Sequence, residues 1–263
     1  MSQKPFFVTI PHSGEKIPDL TPWLLNLSEP MLMRDVDRYV DVLYDDAIKS
    51  LSLPLVKTEW HRYAVDLNRL PQDIDQSSVV GSTNVKGFER GFHWSVTTFK
   101  EKLISEPMSF DTHVKLRNLI YEPFHKQVKD MYAQLRQRTG KQTIYHLDLH
   151  SMPSLGTSMH LDPGEKRADI VISDSNQRSC SRTFRDLVIA AYVTAGFKVG
   201  YNWPYKGGRL TEEYGKPQEG QQVLQVEMSR ALYMNEETKK IYPDYQKVSQ
   251  NLKKALSYIQ ENL

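Results

Sequence analysis

The run His146-Leu147-Asp148-Leu149-His150-Ser151 constrains this chain more than any other stretch. Residues 143–149 have the apolar content and short length of a strand. Side chains alternate across a strand, so His146, Asp148 and His150 share one face, with Tyr145, Leu147 and Leu149 on the other. Burying three titratable groups on one face is costly unless each is hydrogen-bonded, paired or bound to a ligand. Two accounts are therefore open, a hydrogen-bonded core network or the floor of a site. His150, at the strand's end, is placed for a site mouth, with Asp148 as its supporting partner and His146 in a structural role.

Residues 6–10 read as a second buried strand, closed by Pro11. Further strands are predicted at 54–58, 62–67, 169–173, 198–201 and 222–228. Apolar residues at helical spacing predict helices over 31–50, 111–139, 179–195 and 242–262, the second and third stopped by Gly140 and Gly196. Residues 81–100, rich in Gly, Ser and Thr and without a period, read as a long loop or small hairpin of the kind that often forms a binding loop. Residues 202–220 are punctuated by Gly and Pro. Strands alternating with helices predict an α/β fold, a three-layer α/β/α sandwich with a mixed, mostly parallel sheet. No repeat or linker interrupts the pattern, and residues 1–263 read as one domain.

Composition narrows the function. The longest apolar stretches, such as 187–193, fall far short of the roughly 18 residues of a membrane span. A lone Cys180 excludes an internal disulfide and a Cys-rich zinc site, so any metal is held by His and carboxylates, the ligand set of catalytic zinc. Net charge is +2 with acids and bases interspersed, which argues against nucleic acid as a partner. Met1-Ser2-Gln3-Lys4-Pro5 leads straight into an apolar run too short for a signal peptide, so a cytoplasmic protein, monomeric or a small homo-oligomer, is expected.

Three more segments place polar residues where a predicted strand runs out. In Pro11-His12-Ser13-Gly14-Glu15 the spacing lets one loop offer an imidazole and a carboxylate to one metal; an ordinary turn is the plainer account. In Asp66-Leu67-Asn68-Arg69 the guanidinium is shaped to grip a carboxylate and Asn68 adds polar recognition, whereas a surface salt bridge is the bland alternative. In Gln225-Val226-Glu227-Met228-Ser229-Arg230, alternation groups Gln225, Glu227 and Ser229. A carboxylate there suits proton abstraction from a water activated by a metal.

The order of these motifs resembles that of zinc carboxypeptidase-like hydrolases and aspartoacylase. A second resemblance, to N-formylglutamate amidohydrolases, covers nearly the whole chain. It is carried by Pro11-His12-Ser13-Gly14, Asp66-Leu67-Asn68-Arg69, His150-Ser151-Met152-Pro153-Ser154, Arg167-Ala168-Asp169-Ile170 and the long signature from Asn202-Trp203-Pro204-Tyr205-Lys206-Gly207-Gly208 through Thr211, Tyr214-Gly215-Lys216-Pro217, Gln225 and Glu227 to Met234. These resemblances imply a phosphorylase/hydrolase-like, zinc carboxypeptidase-like sandwich. They imply Zn2+, with Co2+ or Mn2+ as alternatives, held by His12, His150 and one carboxylate: Asp37 on the closer resemblance, Glu15 on the carboxypeptidase spacing. Asp37 also reads as a solvated acid in a helix's first turn.

Glu227 is then the implied general base, and Asn68 and Arg69 hold the α-carboxylate. Arg167, Arg209, Tyr205 or Thr211 supply a second carboxylate pocket. Asn202 belongs to the same signature, and Gly207-Gly208 lets the backbone approach the ligand. Each has a plainer role: pairing with Asp169 for Arg167, core packing for Tyr205, an exposed loop cation for Arg209. The implied reaction is hydrolysis of N-formyl-L-glutamate to formate and L-glutamate, as in histidine degradation. Rivals are an amidohydrolase of other N-acyl amino acids, a hydrolase of cell-wall or peptide amides, and a non-catalytic ligand-binding domain. A two-manganese ureohydrolase fails because Met152 stands where its last Asp belongs.

Overall fold

The computed structural model describes residues 4–263; Met1, Ser2 and Gln3, used in the N-terminal reading above, lie outside the described residues. The strands are β1 (Phe6–Ile10), β2 (Leu55–Lys57), β3 (Ile144–Met152), β4 (Ile170–Ser173), β5 (Val199–Tyr201) and β6 (Gln221–Ser229). They form one sheet in the order β2-β1-β3-β6-β4-β5. Every neighbouring pair is parallel except β4 with β6. The helices are α1 (Glu29–Leu32), α2 (Val40–Ser50), α3 (Phe110–Leu116), α4 (Glu122–Thr139), α5 (Arg182–Thr194), α6 (Arg209–Tyr214) and α7 (Gln246–Glu261). The architecture is the expected α/β one, with a mixed and mostly parallel sheet between helical layers.

Strand alternation sorts the two faces. Phe6, Val8 and Ile10 of β1, Leu147 and Leu149 of β3, and Leu224, Val226 and Met228 of β6 pack against the apolar sides of α2, α5 and α7. Burying each such large side chain contributes about 1.5–3 kcal/mol. On the opposite face, Phe7, Ile144 and Val223 pack under α4 and the long excursion of residues 58–109. That second face also carries the polar series Thr9, His146, Asp148, His150, Gln225 and Glu227, all buried.

Four local expectations need correction. The helix predicted over 31–50 is broken, with α1 ending at Leu32, α2 starting at Val40 and Tyr39 left-handed at φ 69°. The intervening chain is tied to the site instead: the Asp37 N–H donates to the His12 carbonyl at 3.0 Å. Asp37 therefore precedes α2 and opens no helix. Residues 62–67 form turns rather than a strand, because Asp66 Oδ1 accepts the Asn68 N–H at 2.9 Å. Such local side-chain bonds compete with a sheet ladder.

The stretch 111–139 is nearly one helix, but a wide turn at Arg117–Tyr121 joins α3 to α4. Pro123 in the first turn of α4 has no N–H to donate, and the widened turn accommodates it. The terminal helix begins at Gln246, beyond Pro243, rather than at 242. Among the described residues, no helix is long and apolar enough to cross a membrane.

Candidate active site

The C-terminal ends of β1, β3 and β6, three adjacent parallel strands, deliver His12, His150 and Glu227 to one place. Loops beyond the carboxyl ends of such strands are where α/β sheets bind ligands. Asp37 reaches the same place from the segment before α2. One ligand atom from each of His12, Asp37 and His150 lies within 4.8 Å of the others, and all three residues are buried.

The imidazoles are aimed by their far nitrogens. His12 Nε2 is 2.8 Å from Asp66 Oδ1, and His150 Nε2 is 2.7 Å from Asp148 Oδ2. These bonds leave both Nδ1 atoms turned toward Asp37 Oδ2, at 3.5 Å from His12 and 3.1 Å from His150. His12 Nδ1 is buried without a hydrogen-bond partner among the described residues. An orphaned imidazole nitrogen, a second one beside it, a shared carboxylate oxygen and a carboxylate behind each ring are the donor set of a His/His/carboxylate metal site. The residues present fit a divalent cation.

The electrostatics agree. Burial alone would lower His150, yet Asp148 and Asp37 outweigh it and hold the imidazole well above its usual value. Burial opposes ionisation of Asp37, but His12, His150 and Arg62 keep its carboxyl well below the usual range. The cluster thus draws positive charge to the point where these atoms converge. Behind it, Asp66 also accepts Arg62 Nη2 and Trp94 Nε1, both at 2.9 Å. Asp148 Oδ1 accepts the Thr9 hydroxyl at 2.7 Å, and Thr9 Oγ1 is 2.9 Å from His146 Nε2. His146, stacked on Phe7 and 2.9–3.0 Å from Thr9 and Tyr132, belongs to this buried network rather than to the mouth.

A cavity of about 190 Å³ opens over the cluster. Glu227 lines it, with Oε1 accepting Gln225 Nε2 at 2.8 Å. Burial, reinforced by Asp37, pushes the Glu227 carboxyl up against the opposing pull of His150 and Arg230. Asn68, Arg69, Tyr205, Gly207 and Gly208 line the walls. Asn68 Oδ1 caps the Leu210 N–H at 2.8 Å, and a Cβ on Gly208 would run into the Asn68 amide. Gly207, at φ 119°, takes a backbone conformation that favours glycine.

Other candidates fall outside the cavity. Glu15 is exposed and ion-paired to Arg38 at 2.8 Å, away from the His12–Asp37–His150 cluster. Arg209 pairs with Glu213. Asn202 Nδ2 donates to Asp174 at 2.8 Å. Thr211 is buried and fastens the glycine turn by accepting the Gly208 N–H at 3.0 Å. Arg167 clamps Asp162 with bonds of 2.7 and 2.8 Å, not Asp169, and braces the Tyr205 hydroxyl at 3.0 Å.

Sequence reasoning passed over Arg62, Arg90, Trp94 and Arg230, which also line the cavity. Arg230 was within reach, three residues after Glu227 at the end of β6, where it binds Asp37 Oδ1 at 3.0 Å. Arg62, four residues before Asp66, carried a similar signal. Arg90 and Trp94 lie in an aperiodic loop that gives none.

Fold and site together define an α/β amidohydrolase-type protein whose strand ends carry a His–Asp–His cluster fit for a metal. The chain belongs to the N-formylglutamate amidohydrolase family, whose model matches residues 4–234. It is 28% identical over 235 residues to an N-formylglutamate deformylase of Pseudomonas putida, covering 88% of this chain and 82% of that one. It is 26% identical over 238 residues to the deformylase of Pseudomonas aeruginosa, covering 89% and 83%. The crystal structure of an N-formylglutamate amidohydrolase from Ralstonia eutropha superposes with a TM-score of 0.86 at 26% identity, over 100% of this chain and 96% of that one.

Proposed function

We propose that this protein hydrolyses the formyl amide of N-formyl-L-glutamate, releasing formate and L-glutamate, with zinc held by His12 Nδ1, His150 Nδ1 and Asp37 Oδ2. The observation that carries the reading is the pair of carboxylate-backed imidazoles converging on Asp37 beside Glu227, in a chain of this family. When bound, a divalent cation supplies Lewis acidity, making water more acidic and polarising the amide carbonyl.

Glu227 serves as the proton carrier. Its Oε1 is held by Gln225, which leaves Oε2 to take a proton from the attacking water and pass it to the departing nitrogen. A buried carboxyl raised above its usual value is the more effective base near neutrality. Asn68 Nδ2 and Arg69, which line the cavity, orient the α-carboxylate. Such an enzyme fits the formate-releasing end of histidine degradation in the cytoplasm.

The reading is tested by measuring formate release from N-formyl-L-glutamate before and after chelation, and again after adding back zinc, cobalt or manganese. Activity is expected to vanish on chelation and return with a divalent ion. Full activity in the chelated protein would overturn the metal assignment, and no formate under any condition would overturn the substrate.

A further inference from the structure

Four arginines line the cavity, and they are not equivalent. Arg62 is neutralised by Asp66 at 2.9 Å, and Arg230 by Asp37 at 3.0 Å. Arg167, outside the cavity and bonded to the Tyr205 hydroxyl, is committed to Asp162. Arg69 and Arg90 make no ion pair with any carboxylate among the described residues. Arg69 Nε and Nη1 donate only to the backbone carbonyls of Arg90 and Asn68, at 3.2 Å each. Among the described residues the Arg90 guanidinium makes no hydrogen bond, although Arg90 lines the same walls.

Two guanidinium groups facing one small cavity without counter-charge repel each other and are partly desolvated. Burial, with the Arg69 and Arg62 charges, holds Arg90 below its usual value, opposed by Asp35 and Tyr205. Asp35 does not quench it by contact, because its carboxylate accepts the Tyr63 hydroxyl at 2.7 Å and the Thr98 hydroxyl at 2.6 Å. Such an arrangement is relieved by an anion, and two forks of fixed geometry are best matched by two carboxylates. The sequence pointed to Arg167 and Arg209 for the second of these, and both are already spoken for.

We propose that Arg90 binds the side-chain carboxylate of the substrate while Asn68 and Arg69 hold its α-carboxylate, so that Arg90 sets the preference for dicarboxylic N-formyl amino acids. The proposal rests on the functional reading above and adds the residue that discriminates among substrates. Arg90 comes from the long excursion and Arg69 from its beginning, and the Arg69 side chain buttresses the Arg90 backbone directly. The two charges are therefore positioned as a unit.

The test compares kcat/KM for N-formyl-L-glutamate, N-formyl-L-glutamine and 4-formamidobutanoate in the wild type, Arg90→Met and Arg90→Lys. Ratios taken within one preparation cancel any unfolded fraction. Arg90→Met is expected to reduce the glutamate-over-glutamine preference by about 100-fold, because the polar site then no longer distinguishes a charged partner. The penalty for lacking the α-carboxylate, read from 4-formamidobutanoate, should persist in Arg90→Met, and Arg90→Lys should recover part of the preference. An unchanged ratio in Arg90→Met, or loss of the α-carboxylate penalty instead, overturns the assignment. Calorimetric binding of L-glutamate against L-glutamine to the same proteins decides the matter without turnover. If no formate is released by the wild type while glutamate binding still depends on Arg90, the reaction fails and the subsite stands.

Discussion

His150 and Glu227 are direct partners in the register of β3 and β6, so the imidazole of the His–Asp–His cluster and the carboxylate proposed to move a proton are rigidly spaced by backbone pairing. Neither depends on a loop for its position. Strand alternation puts both on the sheet face that looks into the cavity, and the next pair toward the N-terminus, Asp148 with Gln225, supports each from behind.

Glu227→Gln keeps the shape and the strand pairing but removes the base. We predict that zinc content stays near that of the wild type while kcat falls by about 10²–10⁴-fold, the usual contribution of general acid–base catalysis. Metal analysis alongside steady-state kinetics checks this. Near-normal turnover would remove Glu227 from the role.

Asp148→Asn weakens the bond that fixes His150. Partners that orient a ligating imidazole are typically worth 10–100-fold in metal affinity, and a loss of about that size is expected. Competition with a chelating dye measures it. Wild-type affinity in the variant would mean that the sheet holds His150 without help from Asp148.

Gly208→Ala tests the contact between the glycine turn and Asn68. Gly208 has φ −135°, which alanine adopts freely, so the backbone is not strained. The added methyl instead displaces the Asn68 amide from the cavity wall. Misplacing a positioning group by about 1 Å can cost about 100-fold. A fall in kcat/KM of that order, with thermal stability little changed, is the expected outcome; unaltered kinetics would show that Asn68 has room to yield.

Acid should weaken the fold before it reaches the carboxylates. His93 is held at about 3 and His125 at about 4 by burial, against a usual value of 6.5. Above 6.5 both are neutral whether folded or unfolded, and nothing is lost. Between 6.5 and about 4 the unfolded chain takes up protons that the fold refuses, so stability declines as pH falls. The loss at about pH 5 is roughly 2 kcal/mol per histidine. Urea unfolding at about pH 7.5 and about pH 5 measures it, and a flat profile would contradict the buried neutral state.

The β3 face was legible because strand period and polar chemistry coincide at His146, Asp148 and His150. Glu227 was legible for the same reason, and His12 because a polar loop follows the predicted strand over 6–10. Between Met31 and Ser50 the helical spacing of apolar residues hid the break that frees Asp37. Periodicity reports which side of a segment is buried, but not whether its backbone is bonded to itself or to a neighbour. Arg62–Leu67 looked like a strand because its apolar residues are buried under turns held by Asp66. Arg90 lay in a stretch without any period, and only the folded chain shows which of the arginines is left without an acid.

Asp66 belongs to the excursion that supplies Asn68, Arg69, Arg90 and Trp94, yet its carboxylate anchors His12 at the sheet. The segment proposed to select the substrate is thus also a keystone for the His12–Asp37–His150 cluster. On the proposed metal assignment, a molecule in which that segment has not docked would lack the bond that aims His12, so capture of the ion would double as an inspection of assembly.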